Sequence, residues 1–328
     1  MNPVVPGTMR TTSRASFWKQ FSAQVQENIP LAPYTSARIG GPADFLFVAR
    51  NADELANVTR ACWDTDQPYL VIGAGSNLLV SDLGFRGMAI INKAKATQFR
   101  PGPEPVVWAE SGALFSNLAH RCAAQGFSGL EWAATIPGTV GGAVYGNAGA
   151  FGSDTAHDLQ RAELLLETGR TWWSAQEMEY AYRSSKLKRG FGISPRIPSG
   201  NALILSAEFR LNYGNETAIQ TIIGELTLRR KSSQPAGASM GSMFKNPAGD
   251  FAGRLIEAAG LKGARIGSAE ISPLHANFFI NHAQQPGSPA AETQARDIRA
   301  LIELAQKTVK EKFDVNLELE VELVGEWE

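Results

Sequence analysis

Between Gly129 and Gly152 the chain reads GLEWAATIPGTVGGAVYGNAGAFG, glycines spaced among apolar residues with Glu131 as the single charged side chain. Glycine accepts either sign of φ and, lacking Cβ, lets main chain come close to a bound group. A long run of this kind therefore reads as backbone moulded around a flat, partly apolar cofactor. A buried turn packed by small side chains would have the same composition, and on this segment alone the two readings stay open.

A second glycine cluster, VIGAGSNLLVSDLGFRGMAIIN from Val71 to Asn92, bears on the choice. Tyr69 to Ile72 predicts a buried strand, Gly73 to Asn77 a tight loop and Met88 to Ile91 another strand. Gly73, Gly75, Ser76 and Asn77 offer backbone N–H groups and two small polar side chains, donors suited to a diphosphate. A doubly wound dinucleotide fingerprint would need a third glycine where helix meets strand and an acidic residue about 20 positions on. Leu78 follows Asn77 instead, and no P-loop lysine follows the glycines. A bare G-x-G is more often a turn than a phosphate cradle.

Of the 328 residues 44% are hydrophobic, enough for two or three domains with real cores. The net charge of -1 gives no electrostatic reason to expect nucleic acid or an anionic membrane as partner. Two cysteines, Cys62 and Cys122, lack CxxC or metal-ligand spacing and read as reduced core residues of a cytoplasmic protein. No apolar run is long enough for a signal peptide or a membrane span, and the first dozen residues read as disordered. His120, His157, His275 and His282 are scattered, which argues against a metal site, and none lies in either glycine loop.

Periodicity predicts a helix over Ala52 to Thr65, a strand over Val106 to Glu110 and a helix over Ala113 to Gln125 closed by Gly126. Further strands are expected at Arg161 to Glu167 and Leu203 to Leu211, with a short helix at Ala175 to Glu179. Lys186 to Asn201, basic and rich in Gly, Pro and Ser, reads as an exposed loop. Helices follow from Glu216 to about Lys231, around Phe251 to Ala259 and from about Pro289 to Phe313, with a short strand at Phe278 to Ile280. The last strand, Asn316 to Val324, alternates Leu317, Leu319, Val321 and Leu323 with Glu318, Glu320 and Glu322. We expect an N-terminal extension over 1–30, α/β units over 31–95 and 96–213, and a third unit over 214–328.

Three carboxylates on one strand face repel unless they are solvated or paired with cations, and alternation does not choose among them. Arg183, in Tyr182-Arg183-Ser184-Ser185, is either a fork for a carboxylate or enolate, or a surface arginine. Gly241 to Pro247, GSMFKNP, gathers a hydroxyl, an amine and an amide in one loop, and no nucleophile elbow surrounds Ser242.

Taken together, seven segments resemble the UDP-N-acetylenolpyruvoylglucosamine reductase family, flavoenzymes of bacterial cell-wall synthesis. In order they are TSARIGGPAD (Thr35 to Asp44), GAGSNLLV (Gly73 to Val80), FSGLEWAATIPGTVGGAVYGNAGAFG (Phe127 to Gly152), YRSS (Tyr182 to Ser185), GSMFKNP (Gly241 to Pro247), AGLKGARIGSAEISPLHANFFIN (Ala259 to Asn281) and LEVELVGE (Leu319 to Glu326). Each is weak alone, and together they span most of the chain.

The resemblance implies an α/β (α+β) fold: a FAD-binding fold of the vanillyl-alcohol-oxidase type in two subdomains, then a C-terminal α/β substrate-binding domain. It implies noncovalent FAD against Gly73, Ala74, Gly75, Ser76, Asn77, Ile136, Pro137, Gly138, Gly141 and Gly142, with NADPH as reductant. The implied reaction turns the enolpyruvyl ether of UDP-N-acetylglucosamine into UDP-N-acetylmuramate, with Ser242 as proton donor and Arg183 and Glu320 at the substrate carboxyl. Lys245, Asn246 and Arg230 are expected at the nucleotide sugar, with Arg229, Arg230, Lys231 and Lys245 as candidates for its diphosphate, a description that any exposed lysine would meet. Longer members carry a tyrosine-bearing insertion after the YRxS motif, which this chain lacks. A small-molecule nucleotide-sugar partner, no nucleic acid, no membrane and a monomeric, cytoplasmic enzyme are expected. Two rivals stand beside this reading: an oxidase on the same flavin fold, and a noncatalytic nucleotide-sugar sensor.

Overall fold

The computed structural model describes residues 21, 23–190, 202–283 and 294–327. Three sheets organise the chain. The first has strand order Gln26–Pro30, Pro42–Ala49, Phe85–Asn92, Tyr69–Ile72, parallel except at its first edge. The Ala52–Asp64 helix packs on it through Leu55, Ala56, Val58 and Cys62 and starts where the Asn51 side chain accepts the Glu54 N–H at 2.8 Å. A cap of this kind contributes about 1 kcal/mol.

The second sheet is antiparallel throughout, in the order Gly169–Ser174, Leu159–Leu166, Ala202–Arg210, Val106–Glu110, Thr97–Arg100. The Phe115–Ala123 and Val140–Gly146 helices bury their small and aromatic residues against it. The third sheet, Ala238–Ser242, Phe278–Asn281, Ala269–Ile271, Arg265–Ile266, is also antiparallel and is covered by the Ala252–Ala258 and Ala295–Phe313 helices. Mixed helices and sheets of this arrangement are the α/β (α+β) class that the resemblance implies.

Several expectations are corrected. Ala175–Glu179 is a run of turns: Ser174 and Glu177 cap each other as at a helix start, the Ser174 N–H donating to Glu177 Oε2 at 2.7 Å, but Glu179 at φ 44° stops the helix from propagating. Lys186–Gly190, expected in an exposed loop, is one helical turn that buries Leu187; the rest of that loop lies outside the described residues. The disorder expected of the first dozen residues, and the start of the last helix near Pro289, also fall outside them. Gln26–Pro30, placed in the N-terminal extension, is an edge strand of the first sheet, and Phe21 packs edge-on against Phe47 at 5.5 Å between ring centres. The Glu216–Ser233 helix buries Ile219 and Ile223 in the core of the second sheet, not the third.

The final strand is shorter than its alternation suggests. Only Glu322–Val324 pairs, in parallel with Leu78–Val80, and the stretch before it is tied by a single bridge from Leu319 to Phe244. A three-residue partner strand limits the ladder, while the alternation itself persists, with Leu317 and Val321 buried.

Candidate active site

A cavity of about 890 Å³ runs where the three sheets meet. Its size lies near the upper end of the range of about 300–1,000 Å³ for small-molecule sites. Gly73, Ala74, Gly75, Ser76 and Asn77 line it from the first sheet, and Ile136, Pro137, Gly138, Gly141 and Gly142 from the second. The two glycine segments, 59 or more residues apart in the chain, touch: the Ser76 hydroxyl donates to Pro137 O at 3.3 Å, and a Cβ on Gly73 would collide with the Thr139 side chain. Absence of a side chain at Gly73 is what allows this approach.

Donors are left free in this wall. Among the described residues, the N–H groups of Ala74, Gly75, Ser76 and Asn77 make no hydrogen bond to protein. By contrast, the Val140 and Gly141 N–H groups at the start of the neighbouring helix are spent on Ala113 O and Ser111 O, at 2.9 and 2.8 Å. Free amides therefore sit in the Gly73–Asn77 loop, where a diphosphate would take them up. Gly146 also lines the cavity, and a Cβ built on it meets nothing within 4 Å, so that wall is open for a flat ring. These features fit FAD.

Arg183, Ser242 and Glu320 all face the same cavity. Arg183 sits at φ 53°, in a turn closed by reciprocal Ala181 and Ser184 backbone bonds of 3.0 and 3.1 Å. Its Nε donates to Glu320 Oε1 at 2.7 Å and its Nη2 to Gly149 O at 2.8 Å, leaving the Nη1 group for a ligand. Burial raises the Glu320 carboxyl above the usual range, opposed by the positive charges of Arg183, Lys188 and Lys245. Ser242 ends its strand with no hydrogen-bond partner for its hydroxyl among the described residues.

The question of the three glutamates resolves into three cations. Glu318 pairs with Lys245, Glu320 with Arg183 at 2.7 Å and Glu322 with Lys188 at 2.8 Å. Arg230 lines the cavity, its guanidinium without a partner among the described residues, and burial holds it below the ordinary arginine range. Lys245 and Asn246 are not cavity-lining: Lys245 is turned to Glu318, and Asn246 Oδ1 accepts the Ala252 N–H at 3.1 Å. Of the remaining diphosphate candidates, Arg229 lies over the Phe151 ring at 5.7 Å and Lys231 is exposed.

Sequence reasoning overlooks the residues that hold these groups still. Asn277 brackets the loop after Ser242: its Oδ1 accepts the Phe244 N–H at 2.9 Å and its Nδ2 donates to Phe244 O at 2.8 Å. Asn147 donates to Ala181 O at 3.1 Å and so fixes the arginine's turn. A buried asparagine set directly before the apolar run FFIN is a signal for the first; the second has none beyond its place among glycines. Cys62 also lines the cavity, and burial pushes its thiol up to about 12, so it stays a neutral thiol. Among the described residues no cluster of His, Cys, Asp and Glu could hold a metal ion, and no helix is long and apolar enough to cross a membrane.

Fold and cavity together define a FAD-dependent oxidoreductase, and the FAD binding domain family matches residues 43–175. Residues 233–324 match the UDP-N-acetylenolpyruvoylglucosamine reductase C-terminal domain. A UDP-N-acetylenolpyruvoylglucosamine reductase of Chloroflexus aggregans is 43% identical over 302 residues, covering 92% of this chain and 97% of that one. One of Bacillus velezensis is 38% identical, covering 92% and 93%. The crystal structure of the Thermus caldophilus enzyme superposes with a TM-score of 0.74 at 32% identity, covering 92% of this chain and 99% of that one. The chain belongs to the UDP-N-acetylenolpyruvoylglucosamine reductase family.

Proposed function

We propose a division of labour among the cavity residues for NADPH-dependent reduction of UDP-N-acetylglucosamine enolpyruvate to UDP-N-acetylmuramate. FAD held in this cavity would supply hydride chemistry between NADPH and the enolpyruvyl C3. The Gly73–Asn77 loop would hold the cofactor diphosphate on its free amides, with Ile136 to Gly142 as the facing wall. Arg183 binds the substrate carboxylate through its Nη1 side, where charge builds as C3 accepts hydride, so this contact strengthens in the transition state. Glu320, with Gly149 O, fixes the plane of that guanidinium. The free Ser242 hydroxyl donates the proton to C2. Arg230, a desolvated cation unpaired among the described residues, binds the nucleotide diphosphate. Lys245 and Asn246 support from behind, the one through Glu318 and the other by capping the Ala252–Ala258 helix.

One observation carries this reading: Arg183, Glu320 and Ser242, drawn from separate parts of the chain, converge on the cavity walled by both glycine segments. A cytoplasmic, monomeric enzyme goes with it, its first unit taking in Gln26–Pro30 and its second extending through the Glu216–Ser233 helix. The test is the visible spectrum of the purified chain, followed by anaerobic reduction with NADPH and reoxidation by the enolpyruvyl substrate. A colourless protein that takes up no FAD, or reduced protein that oxygen reoxidises and the substrate does not, overturns it.

A further inference from the structure

The turn from Tyr34 to Ile39 lies between the Gly73–Asn77 loop and the strand that carries Ser242. On the loop side, the Ser36 N–H donates to Gly75 O at 3.1 Å. Toward the strand, its hydroxyl donates to Ser239 O at 2.6 Å, with Gly75 O a second acceptor at 3.2 Å. Ser239 and Ser242 belong to the same short strand, Ala238–Ser242. One residue on, Ala37 O accepts from Asn281 Nδ2 at 2.8 Å, and Asn281 sits on the adjoining strand. Ala37 and Ile39 are buried in the core of that third sheet. Gly75 makes the approach possible: at φ +61° it has no Cβ, and one built there would run into Tyr34 O and Thr35 Cα.

We infer that Ser36 is a positioning residue: its hydroxyl sets the distance between the cofactor loop and the Ser242 strand, bringing the proton donor into register with the cavity. A second tie works alongside it, since Asn77 Nδ2 donates to Glu320 O at 3.1 Å and Asn77 O accepts the Glu322 N–H at 2.9 Å. Proton delivery is sensitive to such spacing, because a misplacement of about 1 Å can cost about 10²-fold. Reduction by NADPH needs no proton from Ser242 and is insensitive to it. The inference rests on the assignment of Ser242 as proton donor.

Ser36→Thr keeps the hydroxyl and Ser36→Val has the shape of the Thr variant without it, so that pair isolates the hydrogen bond; Ser36→Ala removes the hydroxyl without adding bulk. FAD affinity, thermal melting and the two half-reactions are measured on the full chain by flavin absorbance in a stopped-flow instrument. For the Val and Ala variants, FAD affinity and NADPH reduction should stay within about threefold of wild type. Reoxidation by substrate should slow by about tenfold or more with a larger solvent deuterium isotope effect. The Thr variant should return reoxidation to within about twofold. Half-reactions that slow in step, or neither slowing, overturn the inference, as does a folded Thr variant without rescue. If Val and Ala fail to fold while Thr folds, the hydroxyl serves stability and the inference is also overturned. Failure of the wild type to bind FAD or to be reoxidised by substrate strikes the proposed function instead.

Discussion

Arg183 and Glu320 stand 137 residues apart in the chain, yet Nε of one donates to Oε1 of the other at 2.7 Å. Glu320 and Gly149 O take two of the guanidinium's donors, and Arg183 lines the cavity with Nη1 left without a partner among the described residues. Holding Arg183 at φ 53° costs backbone energy of about 1 kcal/mol or more, which the surrounding turn and Asn147 offset.

Replacing the fork by a point charge breaks this geometry. Arg183→Lys cannot satisfy Glu320, Gly149 O and a substrate carboxylate together, so kcat/KM for the enolpyruvyl substrate should fall by about 10²-fold. Steady-state kinetics decide it, and an unchanged value would remove Arg183 from the site.

Ser242→Ala should leave reduction by NADPH nearly as in wild type while reoxidation by substrate slows by about 10²- to 10⁴-fold. Rapid-mixing measurement of the separate half-reactions is the check. Equal slowing of both would reassign Ser242 to structure.

Glu320 makes a statement about stability and pH. Because burial lifts its folded carboxyl above the unfolded value, the folded chain holds that proton more tightly. Stability is then lost as pH rises past the unfolded value of about 4.3, with the loss complete once pH passes the raised folded value. Glu320→Gln carries no such titration. The melting temperature of wild type minus that of the variant should therefore fall with rising pH across this window and level off above it. A difference that is flat or grows with pH contradicts the assignment.

Arg230→Met should weaken binding of the nucleotide sugar with little change in kcat, because a diphosphate contact remote from the reacting carbons acts alike on ground and transition states. Loss of one charge-assisted contact of about 1.5–3 kcal/mol predicts a KM roughly 10- to 100-fold higher. A lowered kcat at unchanged KM would place Arg230 nearer the chemistry.

Much of this chain is legible without coordinates. Both glycine segments announce themselves because small-residue composition is local, and helices such as Ala52–Asp64 follow from periodicity and their caps. The glycine-rich wall of the cavity is thus visible as composition, and the resemblance of seven ordered segments names Arg183, Ser242 and Glu320. Tertiary structure decides what surrounds them. Alternation treats Glu318, Glu320 and Glu322 as equivalent, and only folding gives each a different cation, with Arg183 for the middle one. It likewise sends Lys245 to Glu318, leaves the Arg230 guanidinium unpaired among the described residues, and sets Ser36 between Gly75 and Ser239. The physical reason is range: propensity and patterning act over a few residues, whereas ion pairs and hydrogen bonds across three sheets depend on which distant segments the cores bring together.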